Sequence, residues 1–116
     1  MLNDALGGET ASQYGGYLAQ QIQNAQMAGV MLVFEQDSPT CDSDHPQLSA
    51  YADTMAAIAK QYNVSLIPQY SAISAVSGWK QQMVGGCLVP DSALDAIKAQ
   101  QDLLVIAPLV KNLIGE

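Results

Sequence analysis

The sequence predicts a three-layer α/β fold: a small parallel sheet with helices on its faces. Three observations carry this. Gly29-Val30-Met31-Leu32-Val33-Phe34-Glu35 is an uninterrupted apolar run of strand length, rich in β-formers and closed by polar loop residues. An amphipathic stretch follows, from Pro46 to about Tyr62, and then a second short apolar segment, Val64-Ser65-Leu66-Ile67, stopped by Pro68. The first run reads as a buried parallel strand. Strand, helix and strand make one βαβ unit, and a right-handed crossover sets the two strands side by side with the loops after their carboxyl ends on one rim. Chemistry is expected on that rim.

A chain of 116 residues with 49% hydrophobic content is long enough for one packed domain, taken here as residues 1–116, and too apolar for disorder. Its net charge of −7 sets eleven acids against four lysines, with no arginine. Without the bidentate reader of phosphates and bases, nucleic acid is not an expected partner. No apolar run reaches the roughly 20 residues of a membrane span, and the first residues lack the basic and apolar regions of a signal peptide. The reading is of a soluble chain with no membrane partner, its compartment left open.

The elements follow in order. Met1 to Thr10 is polar and glycine-bearing loop. From Ser12, Tyr14, Leu18, Ile22 and Ala25 recur at helical spacing until Gly29 supplies a C-terminal stop. After the first strand, the loop from Gln36 to His45 is dense in turn formers and carboxylates, and a loop of that length invites a functional question. In the next helix Pro46 fits the first turn, Leu48, Tyr51, Ala52, Met55, Ile58, Ala59 and Tyr62 form one stripe, and Asn63 suits a left-handed cap. Gln69 to Trp79 reads as including a short helix, and Lys80 to Pro90 as a second rim loop. Asp91 is a good N-cap for the last helix, which Pro108 is expected to kink or interrupt. Cys41 and Cys87 fall in the two rim loops, in no zinc or CxxC spacing. Two free thiols and one long-range bridge both fit.

Three places make this order similar to the C-terminal half of an SGNH (GDSL-type) ester hydrolase domain, which is flavodoxin-like. Leu2-Asn3-Asp4 resembles the family's Gly-x-Asn-Asp block, with Met1 where its glycine would stand. The run of elements from Tyr14 to Ile67 resembles its later helix-strand-helix-strand order. Gly86-Cys87-Leu88-Val89-Pro90-Asp91 resembles the Asp-x-x-His-Pro-Asn block before its final helix. The resemblance implies hydrolysis of small or carbohydrate acyl esters by a serine, oriented through an Asp–His pair with an oxyanion stabilised by glycine and asparagine. No cofactor or metal is implied. Residue by residue, only Asn3 carries over, as an oxyanion donor; Gly86 and Val89 occupy the Asp and His positions and cannot move a proton. The serine block would precede Met1. Alone, such a chain is expected to be an inactive relative or pseudoenzyme.

Asp42-Ser43-Asp44-His45-Pro46 also fits Asp-x-x-His-Pro before a helix, which would make His45 the general base and Asp42 its orienter. A solvated loop capping the helix that Pro46 starts is the plainer reading. Ser38 follows a strand in an Asp-Ser pair, but without the glycine that would expose it, and reads as a turn residue. Glu35, Asp37, Asp42 and Asp44 lack the regular spacing of a cation loop. Tyr51, Tyr62, Tyr70 and Trp79 read as core or boundary residues. A sheet of two parallel strands leaves an unpaired edge, so the sheet is expected to be completed by a partner chain or by a second copy in a homo-oligomer. The competing reading of function is therefore a non-enzymatic interaction or assembly subunit.

Overall fold

A computed structural model describes residues 10–43 and 45–113. Thr10 opens helix α1 (Ala11–Ala28) with a capping box: its hydroxyl accepts from the Gln13 backbone N–H while the Gln13 side chain accepts from the Thr10 N–H. Gly29 closes the helix at φ 68°, donating back to Gln26 O, a left-handed conformation that glycine adopts without a Cβ penalty. Strand β1 is Val33–Glu35, and helix α2 runs Leu48–Gln61. Asn63 makes the left-handed turn at φ 57° after α2 and leads to β2, Ser65–Ile67. Two short helical pieces follow, α3 (Gln69–Ser74) and a 3-10 turn (Trp79–Gln82). A hairpin of β3 (Met83–Val84) and β4 (Val89–Pro90) precedes α4 (Ser92–Leu113), whose first turn is capped where Asp91 Oδ1 accepts from the Leu94 N–H.

β1 and β2 pair in parallel, Val33 with Ser65, Phe34 with Leu66 and Glu35 with Ile67, as the βαβ pattern requires. Helices α1 and α2 pack together and on this pair through Tyr14, Leu18, Ile22, Phe34, Leu48, Tyr51, Met55 and Ala59. The Tyr14 and Tyr51 rings stack at 4.9 Å. Gly15 lets the helices approach, since a Cβ there would stand 3.1 Å from Thr54 Cγ2. Helix α4 packs on β2 and α3, where Ile73, Met83 and Leu94 form a second, smaller cluster. The result is a mixed α/β fold with a small parallel sheet flanked by helices.

Several expectations need correcting. The first strand is three residues, not seven, and Val30 and Met31 are 61% and 51% exposed. A strand is as long as its ladder, and in this parallel register residues 29–32 lie opposite 61–64, where α2 ends and Asn63 turns left-handed, so they find no strand to pair with. Within β1 the burial is partial: Phe34 is buried while Glu35 is exposed. The second rim loop is largely structured, as the 3-10 turn and the β3–β4 hairpin. Pro108 does not interrupt α4, which continues to Leu113. Pro108 lacks the N–H that would bond to Leu104 O, and that carbonyl lies on an exposed stretch where water can satisfy it. Of the two cysteine alternatives, Cys41 and Cys87 form a disulfide across 46 residues. Closing a loop of that length contributes about 4 kcal/mol in the chain-entropy account.

Candidate active site

The rim loop begins where β1 ends. Gln36 is buried at its root, its backbone N–H donating to Ile67 O at 3.1 Å and its Nε2 to Ala52 O at 3.0 Å. The chain then passes the buried Ser38 and Pro39 and reaches Cys41. There it is joined to the hairpin twice, by the disulfide and by Cys41 N–H donating to Cys87 O at 3.2 Å. The next residue is Asp42. His45, three residues on, is turned back by the start of α2, where Leu48 N–H reaches His45 O.

This geometry brings two of the sequence candidates together. Asp42 Oδ2 lies 2.6 Å from His45 Nδ1, a short charge-assisted contact. His45, the chain's one histidine, is 8% exposed, and its other nitrogen, Nε2, is buried without a hydrogen-bond partner among the described residues. A carboxylate on Nδ1 holds the ring proton there and leaves the Nε2 lone pair available as a base. Asn3, the third candidate, and Asp44 lie outside the described residues. Ser38 Oγ is buried and, like His45 Nε2, has no hydrogen-bond partner among the described residues, so the two are not bonded to each other. Thr40 Oγ1 is likewise buried, with no hydrogen-bond partner among the described residues.

Among the described residues no group of acids, histidines or cysteines is placed to hold a metal ion. Asp42 faces His45, while Glu35 turns to Gln69 on α3 and Asp102 on α4. Gln69 is fully buried, and its Nε2 lies 3.0 Å from each of Glu35 Oε2, Lys98 O and Asp102 Oδ1. The hydrogen bond to the Asp102 carboxyl raises the Glu35 pKa above its ordinary 4.5, burial adding to the rise and the Gln69 amide opposing it. This cluster escapes sequence reading, because Gln69 and Asp102 are 33 residues apart and a glutamine in a helix start carries no signal.

No family model matches the chain, nor does any curated protein. A solved structure does: the crystal structure of TesA superposes with a TM-score of 0.67 at 21% identity, over 94% of this chain and 59% of that one. TesA has a flavodoxin-like SGNH fold. The chain is SGNH-like in fold. It spans about three-fifths of the TesA chain. Gly86 and Val89, which the sequence resemblance set at the SGNH Asp and His positions, lie in the turn and second strand of the hairpin, with Val89 51% exposed. The Asp–His contact is instead on the loop after β1, at the carboxyl-terminal rim where open α/β sheets place their ligands. No helix among the described residues is long and apolar enough to cross a membrane.

Proposed function

We propose that this chain carries the acid–base half of an SGNH-like ester hydrolase site, with His45 as general base and Asp42 as the carboxylate that orients it. The observation that supports this is the 2.6 Å contact at Nδ1 beside a buried, unpartnered Nε2. In that chemistry Nε2 takes the proton of an attacking hydroxyl and returns it to the leaving alkoxide, while Asp42 steadies the imidazolium between the two steps. The residues outside the described ones carry no hydroxyl, so the proposed hydroxyl is that of water or of a partner's side chain. Asn3 is the proposed oxyanion donor, by resemblance alone, and a small or carbohydrate acyl ester is the proposed substrate. Hydrolysis of p-nitrophenyl acetate tests this. The rate is expected to fall by roughly a hundredfold or more in His45→Ala and nearly as far in Asp42→Asn. Equal rates in folded wild type and His45→Ala would remove His45 from the chemistry.

A second reading, a non-enzymatic subunit completed by another chain, is favoured by a cleft of about 430 Å³ along the outer edge of β1. Tyr14, Tyr17 and Leu18 of α1 line it opposite Leu32, Val33 and Phe34. Gln36 N–H points to β2, so by strand alternation Val33 and Glu35 present their backbone groups to the cleft. An added strand would find donors, acceptors and an apolar wall there. Isotope exchange at the Val33 and Glu35 amides is the measurement. Slow exchange that speeds on dilution supports partner pairing, and fast exchange at every concentration opposes it.

A further inference from the structure

We infer that the Cys41–Cys87 bridge positions the Asp42–His45 pair and makes it responsive to dithiol reductants. Three placements support this. Cys41 immediately precedes Asp42, so whatever fixes its Cα fixes the start of the Asp-x-x-His turn. Cys87 belongs to the hairpin, where Gly85, Gly86 and Cys87 adopt φ 62°, 72° and 67° in succession. Such a left-handed run is tolerated by glycine but not by a branched or bulky residue, and Cys87 sits in it because the bridge and the Cys41 amide hold it there. Lastly, Cys87 packs against the cluster of Ile73, Met83 and Leu94, which ties the hairpin to α3 and α4. The bridge thus ties the second core to the middle of the loop that runs from Gln36 to His45.

Reduction proceeds by thiol–disulfide exchange: a dithiol thiolate attacks one sulfur, its second thiol resolves the mixed disulfide, and the reductant leaves as a cyclic disulfide. The protein gains two electrons and two protons as two thiols. Cys41 N–H to Cys87 O is then the remaining tie at this point, and the loop's freedom increases. The Asp42–His45 contact, set by where Cys41 ends, loses its fixed geometry.

This inference rests on the hydrolase reading for its consequence but not for its first readout, which is nuclear magnetic resonance of the His45 ring. In the oxidised chain the Nδ1 proton shared with Asp42 is expected as a downfield, slowly exchanging resonance, absent in Asp42→Asn. Dithiothreitol should abolish it, reoxidation should restore it, and Cys41→Ala/Cys87→Ala should lack it while keeping its helical circular dichroism. The accompanying His45-dependent hydrolysis should fall by roughly a hundredfold, the scale of an ångström of misplacement. Should the double variant not fold, reduction of the wild type under native conditions supplies the same comparison. Persistence of the resonance in the reduced, folded chain overturns the inference. Loss of the resonance in a chain that never hydrolyses ester upholds positioning and removes the hydrolase reading instead.

Discussion

Gln69 has two amide hydrogens and three oxygens at 3.0 Å, two of them from carboxylates. A proton kept on Glu35 lets it donate to Asp102 and relieves the crowding, which is why its pKa is raised. The folded state therefore binds this proton more tightly than the unfolded state. Its contribution to stability is complete below the unfolded value near 4.5 and is lost as pH rises through the higher folded value. Lys98, on the same helix, is the cation that works against the rise. Glu35→Gln should accordingly flatten the dependence of the urea midpoint on pH above 4.5, and an unchanged slope would remove Glu35 from that titration. At this scale the Asp42–His45 pair was written in the sequence as a motif, because its partners are three residues apart and within reach of one turn, while the bridge proposed to hold that turn was not. The Glu35–Gln69–Asp102 cluster was not, because its members meet only when β1, α3 and α4 are packed.

Helices α1 and α2 were readable from spacing alone, since most residues of the two stripes became buried, Tyr14, Leu18 and Ile22 on one and Leu48, Tyr51, Ala52, Met55 and Ala59 on the other, while Ala25 and Ile58 are half-buried and Tyr62 at the end is exposed. Their contact is close at Gly15, so Gly15→Leu should overpack it against Thr54 and cost about 1 to 3 kcal/mol in chemical denaturation. Met55→Ala, from the centre of the same cluster, should cost about 2 to 5 kcal/mol. The last helix behaves otherwise. Leu94 is its one buried residue among those described, and beyond Asp102 Leu103, Leu104, Ile106, Val110 and Leu113 are exposed while Val105 and Leu109 are half-buried. Few side chains of that half are buried, so intrinsic preference should matter there: Pro108→Ala is expected to stabilise the chain by about 1 to 3 kcal/mol in thermal melts followed by helical signal. A fall in the melting temperature would mean that Pro108 itself makes a contact the helix needs.

For the whole molecule, the chain matches three-fifths of a larger SGNH-like structure and keeps two paired parallel strands. Parallel sheets in such folds are covered on both faces and flanked by further strands. Here the outer edge of β1 opens onto a cleft, and Val30, Met31 and the second half of α4 present large apolar side chains to solvent. Surfaces of this kind associate. Light scattering at about 10 to 100 μM is expected to give a mass above that of one chain, and Val33→Pro, which removes an edge donor without touching the β1–β2 ladder, should lower it. A monodisperse monomer at every concentration would oppose the edge as an association surface.

What the sequence determined by itself is whatever local periodicity and turn chemistry dictate: the βαβ order, the buried stripes of α1 and α2, the left-handed stops at Gly29 and Asn63, and the Asp-x-x-His spacing. What the tertiary structure decided is whatever depends on residues distant in the chain. The length of β1 was fixed by where β2 begins after α2 and the Asn63 turn, not by how far the apolar run extended. The state of the cysteines was fixed by the hairpin that carries Cys87 to the loop of Cys41 across 46 residues. Periodicity records which face of an element is buried, but a ladder, a bridge or a shared proton needs a second element, and its position exists only once the chain has packed.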